Sequence, residues 1–333
     1  MTRNAEVLVD MQAVERTFGG ERRFLAPRAP TIHAVNGIDL QLRRGDALGV
    51  VGESGCGKST VARMIMGIIP PTAGKITYRG EDLTQLHGAD RRQIYRKIQF
   101  VFQDPQSSLN PRKTVREILH APMRHLLNLN PEQRERKARE LMQRVNLREE
   151  FLDRHPHEFS GGQAQRIGIA RALSVDPEIL ILDEPVSALD VSIQAQILEL
   201  LRRLKDDLGL TYLFISHDLA VVDYLCERVA VMYLGTVVEQ GSVEEIFEMP
   251  RHPYTHVLLA SVPEPGQQRP PRLELSGELP NPSNLPRGCN FAPRCYRATD
   301  RCRAEEPDLA RYGPRGTHQA ACFFADDPQP PVV

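Results

Sequence analysis

Gly52-Glu53-Ser54-Gly55-Cys56-Gly57-Lys58-Ser59-Thr60 follows the apolar run Leu48 to Val51 and precedes the helical pattern Val61 to Gly67. A glycine-rich turn between a buried strand and a helix lets backbone N–H groups converge on phosphate oxygens, and the helix N-terminus adds the positive end of its dipole. In this pattern Lys58 reaches the β- and γ-phosphates and the Ser59 hydroxyl ligates Mg²⁺. At average composition, two fixed glycines, a lysine and a Ser/Thr coincide in roughly one chain of this length in a hundred, and the strand-to-helix setting makes chance rarer. Residues 52 to 60 are therefore predicted to bind ATP. Cys56 reads as a small side chain filling a tight turn, not as a redox group.

Outward from this loop, apolar runs alternate with helical patterns from Val7 to about Met249. Leu48 to Val51, Ile98 to Phe102, Ile179 to Leu182, Tyr212 to Ile215 and Val229 to Tyr233 predict an α/β fold with mostly parallel strands. Ile179 to Leu182 runs into Asp183-Glu184, as a buried strand does when it delivers two carboxylates to its C-terminal end. Asp183 then suits Mg²⁺, and Glu184 suits polarising the water that attacks the γ-phosphate. Alone, an apolar-Asp-Glu tract is weak; with the loop at 52 to 60 it is strong. Asn130-Pro131 opens a surface helix whose Ala138, Leu141, Met142 and Val145 recur at helical spacing. Its run Arg-Glu-Arg-Lys-Ala-Arg-Glu, 134 to 140, interleaves both signs and reads as a solvated helix face.

The 333 residues are 41% hydrophobic, enough for a full core, and length suggests about two domains. Forty-two basic residues against 43 acidic ones leave no global charge that would mark a nucleic-acid binder, and no nucleic-acid partner is predicted. No stretch approaches the roughly 18 apolar residues of a membrane span, and Met1 to Asp10 lacks the order of a signal peptide, so the chain is expected to be soluble. In a reducing compartment the six cysteines read first as metal ligands, reactive thiols or buried small residues. Past Pro250 the composition shifts: prolines crowd Pro263 to Pro286, and a cysteine-bearing segment runs from Gly288 to Phe324. The expected domains are 1–250 for nucleotide binding, with a helical part at about 104–175, then a proline-rich linker at 251–287 and a cysteine module at 288–333.

Between the two nucleotide motifs lies Phe159-Ser160-Gly161-Gly162-Gln163 at the start of the pattern Ala164 to Leu173. Here the sequence resembles the ATP-binding cassette (ABC) family, whose signature is a Ser-Gly-Gly-Gln at a helix start. The resemblance implies a P-loop NTPase fold with a helical subdomain. It also implies a head-to-tail dimer, in which Ser160, Gly161, Gly162 and Gln163 close on ATP held by the partner's loop. By the same resemblance, Gln103 matches the loop that senses the γ-phosphate, shares in Mg²⁺ binding and contacts the membrane partner. Ser187 to Asp190 matches the loop that communicates across the dimer, with Asp190 near the partner's nucleotide. His217 matches the histidine that grips the γ-phosphate; as an isolated residue it would more simply satisfy a local hydrogen bond. Phe18 is the first candidate for stacking on adenine and Phe24 the second, with Gly19 to Pro30 reading as an insertion. Either ring could equally be core.

Val51 to Thr60, Pro185 to Ser192, Ser216 to Leu219, Val231-Met-Tyr-Leu-Gly235 and Arg251-His-Pro-Tyr-Thr255 look like the oligopeptide/dipeptide importer ATPases of bacteria and archaea. Gly277 to Cys289 is most similar to their dipeptide-type F subunit. This implies a motor for di- and oligopeptide import, at the cytoplasmic face of the inner membrane. Its partners would be a second ABC ATPase subunit, two transmembrane permease subunits and an extracytoplasmic substrate-binding protein. Relatives of the same look carry nickel, glutathione or other small solutes, and a soluble ABC ATPase without a membrane partner is the rival reading. Soluble members usually carry two cassettes or a long coiled-coil insertion, and this chain has neither.

Cys289, Cys295, Cys302 and Cys322 are spaced more widely than the tight pairs of zinc ribbons. Four thiolates could hold a [4Fe-4S] cluster, with Arg287, Arg294, Arg297, Arg301 and Arg303 offsetting its charge. Members of the resembled branch share this pattern and are associated with such a cluster. Structural Zn²⁺ and cysteines with only packing duties remain open. Cys226, on an apolar helical pattern, reads as core.

Overall fold

Apolar runs without polar alternation are what a sheet covered on both faces requires, and every such run quoted above folds as a strand. In chain order the strands are β1 (Val7–Phe18), β2 (Ile32–Arg43), β3 (Ala47–Val51), β4 (Ala73–Tyr78), β5 (Glu81–Asp82) and β6 (Ile98–Val101). They continue with β7 (Ile179–Asp183), β8 (Thr211–Ser216), β9 (Arg228–Tyr233), β10 (Thr236–Ser242), β11 (Ala310–Tyr312) and β12 (His318–Ala320). The computed structural model describes residues 6–20, 30–261, 280–313 and 316–327. Phe24, residues 262–279 of the proline-rich stretch and residues 328–333 lie outside them.

The described chain divides into two units. The first contains Leu42–Ala47 and Gln85–Ile215. Its β8, β7 and β6 lie side by side, all parallel, in registers that set Ile98 beside Ile179 and Asp183 beside Ile215. Strands β7 and β8 are buried at every residue, the signature of a sheet covered on both sides. The helix predicted from Asn130-Pro131 spans Pro131–Arg144: the Asn130 side chain accepts from Gln133 N, the Gln133 side chain accepts from Asn130 N, and Pro131 opens the first turn. It buries Ala138, Leu141 and Met142, each large side chain contributing roughly 1.5–3 kcal/mol. The charged run on its far side is laced with ion pairs, Arg139 to Glu135 and Lys137 to Asp176 among them.

The second unit contains Val7–Gln41, Leu48–Thr84 and the described part of Ser216–Val333. Strands β2, β1, β4 and β5 form one sheet, in which β4 runs antiparallel to β1 and β5 to β4. In the other, β3 pairs parallel with β9, and β9, β10, β12 and β11 continue antiparallel. The expected parallel order therefore holds at β3/β9, β6/β7 and β7/β8, and an antiparallel flank extends it. Three-residue strands such as β11 and β12 are too short to carry a period, so the sequence did not announce them.

Two expectations about the C-terminal region change. The predicted linker at 251–287 opens with a helix, Pro253–Ala260, which buries Pro253, Tyr254, Thr255 and Val257. Its prolines flank the helix start, where the missing N–H costs nothing. The cysteine segment groups with the phosphate loop in the second unit instead of standing apart as a module of its own. Its β12 adds to β10, setting Ala320 opposite Glu239, and buried His318 Nε2 lies 2.6 Å from a fully buried Glu239 carboxylate oxygen. Among the described residues, no helix is long and apolar enough to cross a membrane.

Candidate nucleotide site

The loop after β3 has backbone angles that side chains resist. Gly52 stands at φ 148° and Gly57 at φ 109°. A Cβ on Gly52 would lie 2.2 Å from Met232 O, and one on Gly57 2.3 Å from Ala34 O. Glycine is needed at both for conformation and for close approach. Gly57 is also the N-cap of the helix Lys58–Ile65 and brings no side chain to cap it, which leaves the helix start open to an anionic ligand. Lys58 is 5% exposed, and its Nζ donates to Gly52 O at 2.7 Å and Glu53 O at 3.0 Å. Cys56 is 1% exposed, and burial pushes its thiol pKa up despite the adjacent Lys58, in keeping with a packing role.

Neighbouring segments hold this loop. Gly235, in the turn between β9 and β10, donates its N–H to Cys56 O at 2.9 Å and accepts from Asn36 N at 2.8 Å. Glu53 N donates to the Tyr254 hydroxyl at 2.8 Å. The Glu53 carboxylate receives two bonds from Arg294, Nη1 at 2.8 Å and Nη2 at 3.1 Å. Arg294 was expected to balance charge around the cysteines; its charge is instead matched by Glu53. Burial opposes that charge, but the bonds to Glu53 and Tyr233 outweigh burial and keep its pKa raised. The motifs Val231 to Gly235 and Arg251 to Thr255 carried family likeness in the sequence without a role. Here both flank the phosphate loop. Phe18 is half-buried at the end of β1, with the Arg16 guanidinium 4.6 Å from its ring centroid.

In the first unit, Asp183 ends β7 at 7% exposure, and Glu184 follows with φ 47°. A left-handed glutamate stores strain of about 1–3 kcal/mol, persisting only where its surroundings impose it. Three bonds do so: Glu184 N donates to Ile215 O at 3.0 Å, Ser187 Oγ donates to Glu184 O at 3.1 Å, and Gln103 Nε2 donates to Glu184 Oε2 at 2.9 Å. Gln103 and Glu184, distant in sequence, are thus brought together. Exposed Ser160 caps the helix Gly161–Leu173, where Ser160 Oγ accepts from Gln163 N and Gln163 Oε1 accepts from Ser160 N. A Cβ on Gly162 would lie 2.4 Å from Ile193 Cγ2, so this glycine is required for packing. Asp190 precedes the helix Val191–Leu208 without capping it through its side chain, and neighbouring Val191 is 82% exposed. In the second unit, His217 is exposed just after β8.

The four C-terminal cysteines are not disulfide-bonded. Burial, then neighbouring thiols, push Cys295 up to about 12 and Cys322 up to about 11, so Cys289, Cys295, Cys302 and Cys322 stand within electrostatic reach of one another. Backbone N–H groups of Arg297 and Phe324 donate to Cys295 Sγ and Cys322 Sγ, each at 3.4 Å. Burial thus favours the neutral thiols, and among the described residues no three His, Cys, Asp or Glu side chains are arranged to hold a metal ion. Cys226 is buried, as expected.

Residues 35–187 match the family model for the ABC transporter, and residues 238–302 match that for the oligopeptide/dipeptide transporter C-terminal region. The dipeptide transport ATP-binding protein DppF of Escherichia coli is 49% identical over 303 residues, covering 90% of this chain and 89% of the relative. The chain belongs to the ABC transporter ATP-binding family. DppF of Haemophilus influenzae is 47% identical over 92% of this chain and 93% of its own length. The oligopeptide transport ATP-binding protein AppF of Bacillus subtilis is 46% identical over 96% of this chain and 98% of its own. Among solved structures, the dimeric ATP-binding cassette MJ0796 in a post-hydrolysis state with ADP and phosphate superposes with a TM-score of 0.63 at 30% identity, covering 71% of this chain and 99% of that one. As in other ABC ATPases, the family match takes in the phosphate loop, Gln103, Ser160 to Gln163 and Asp183-Glu184. Asp190 and His217 lie beyond residue 187, where that match ends. The C-terminal match takes in the helix Pro253–Ala260, Arg294 and three of the cysteines, and stops short of Cys322.

Proposed function

We propose that this ABC ATPase is one of two ATP-hydrolysing subunits that power a membrane importer of di- or oligopeptides. It would sit peripherally on the cytoplasmic face of the inner membrane, beneath two permease subunits fed by an extracytoplasmic binding protein. The observation that carries this reading is likeness along most of the chain, through the nucleotide loop and the C-terminal region alike, to proteins named for dipeptide and oligopeptide transport. Nickel and glutathione importers share the general look.

In the mechanism proposed, Gly52 to Thr60 wrap the phosphates, and Lys58 exchanges its carbonyl partners in the loop for phosphate oxygens. A bound Mg²⁺ would supply charge neutralisation at the phosphates. Ser59, Gln103 and Asp183 are the residues that would hold it. Glu184 orients and deprotonates the attacking water, and Gln103, bonded to Glu184, fixes the direction of that carboxylate. His217 grips the γ-phosphate, and Phe18 stacks on adenine. Ser160 to Gln163 and Asp190 address the nucleotide of the partner ATPase, so that hydrolysis reports closure of the pair.

Cys289, Cys295, Cys302 and Cys322 are proposed to hold a [4Fe-4S] cluster with a structural role; the reading rests on their number and spacing and on the N–H···S bonds at Cys295 and Cys322. A visible absorbance bleached by dithionite, with matching iron in anaerobically purified protein, is the expected result. Stoichiometric zinc without a chromophore would refute it. For the importer itself, the subunits that copurify from detergent-solubilised membranes are to be identified, then reconstituted in liposomes. Uptake of a dipeptide coupled to ATP hydrolysis supports the proposal, and isolation of the chain without any membrane subunit overturns it.

A further inference from the structure

Nothing in the sequence motifs or the similarity to known proteins gives Arg294 a part in nucleotide binding. Its side chain is 7% exposed and meets the Glu53 carboxylate with two parallel bonds, while Nη1 also lies 3.3 Å from the Tyr233 hydroxyl. Fork-to-fork pairing fixes direction as well as distance. Glu53 is also tied at both ends of its backbone, since its N–H donates to Tyr254 and its carbonyl accepts from Lys58 Nζ at 3.0 Å. The residue that holds the phosphate-binding lysine is therefore itself held by Arg294.

The segment bearing Arg294 is anchored at the same place. Phe291 is 1% exposed, with ring centroids 5.2 Å from Tyr233 and 5.4 Å from Tyr254. Those two tyrosines meet Arg294 and Glu53 N through their hydroxyls. An arginine serving only to tether the C-terminal segment could pair with any surface carboxylate. This one reaches 241 positions back in sequence, to the second residue of the phosphate loop.

We propose that Arg294 is a positioning residue of the nucleotide site, acting through Glu53 to hold the phosphate loop and Lys58 in their binding geometry. The C-terminal segment thereby becomes part of the ATP site and sets the affinity for nucleotide phosphates. The inference rests on reading residues 52 to 60 as the phosphate loop.

The test uses the full chain, with ATP and ADP affinities measured by calorimetry and KM and kcat measured separately. R294K, which keeps the charge but loses the fork, and E53Q should each weaken ATP binding and raise KM about tenfold, within the usual range of coupling between sites, with smaller changes in kcat. The double variant should be little worse than either single one, and the exchange E53R/R294E should recover part of the affinity. Wild-type ATP affinity in both R294K and E53Q, or losses that simply add in the double variant, would overturn the proposal. K58A separates the two readings: if it binds ATP as well as wild type, the phosphate-loop reading itself is wrong, whereas if only K58A loses binding, Arg294 has no positioning role. Thermal unfolding of each variant guards against misfolding, and E53Q carries the test alone should the Arg294 variants fail to fold.

Discussion

Gln103 Nε2 donates to Glu184 Oε2 at 2.9 Å, while the Glu184 backbone is held in the left-handed region at φ 47°. A carboxylate aimed by a side-chain bond on a constrained backbone is what water activation calls for, because a general base works only in a fixed direction. E184Q should keep ATP binding and lower kcat by about 10²–10⁴-fold, the usual contribution of a general base. Single-turnover hydrolysis at wild-type speed in E184Q would remove Glu184 from that role.

The same backbone angle separates strain from chemistry. Glycine accepts φ 47° without penalty, so E184G should unfold at a temperature no lower than wild type while losing hydrolysis. E184Q keeps the Cβ and should show no such stability gain. Calorimetric scans of the pair check this, and a strongly destabilised E184G would mean that the angle is not strained.

Ser160 has two separable duties, one local and one proposed across the dimer. As the N-cap it accepts from Gln163 N, so S160A should cost about 1 kcal/mol of stability. S160D retains a capping oxygen but sets a negative charge against the partner's phosphates; it should stay stable and lose hydrolysis. Equal ATPase rates for S160D and wild type in the assembled pair would leave Ser160 a cap only.

Gly162 is constrained by packing, with Ile193 Cγ2 2.4 Å from where its Cβ would be. G162A should destabilise by about 1–3 kcal/mol through overpacking, and I193A should recover part of that loss. Urea midpoints of the single and double variants check it; an additive double variant would show that the two sites do not meet.

His252 is 1% exposed, and burial holds its pKa down at about 4, with Glu239 opposing that shift and His256 adding to it. Its Nδ1 accepts from Tyr254 N, which requires the neutral ring. The unfolded chain protonates this histidine below about pH 6.5, and the folded chain not until about pH 4. The unfolded state therefore binds more protons in that window. Stability should be full above pH 6.5 and fall toward pH 4 by up to about 1.4 kcal/mol per pH unit. H252N keeps a capping oxygen and should flatten the slope, leaving the part due to half-buried His256. Denaturant unfolding at pH 7 and pH 5 reads the difference, and an unchanged slope in H252N would assign the effect elsewhere.

Much of the candidate site was legible because its signals are local. A run of glycines before Lys58, apolar residues before Asp183, and a Ser-Gly-Gly-Gln that caps its own helix are dictated by neighbours within a few positions. The helix Pro131–Arg144 likewise carries its cap, its first-turn proline and its apolar stripe in one stretch. What escaped the sequence lies in pairs far apart along the chain. Arg294 grips Glu53, Gly162 makes room for Ile193, β12 adds to β10, and Gln103 aims Glu184. The sequence by itself determined the phosphate loop, the buried strands and the carboxylate pair, since backbone propensity and periodicity act over a turn or a strand. Only the tertiary structure decided that the cysteine segment belongs with the phosphate loop and that Glu184 is held under strain, because such contacts depend on which surfaces meet once the core has packed.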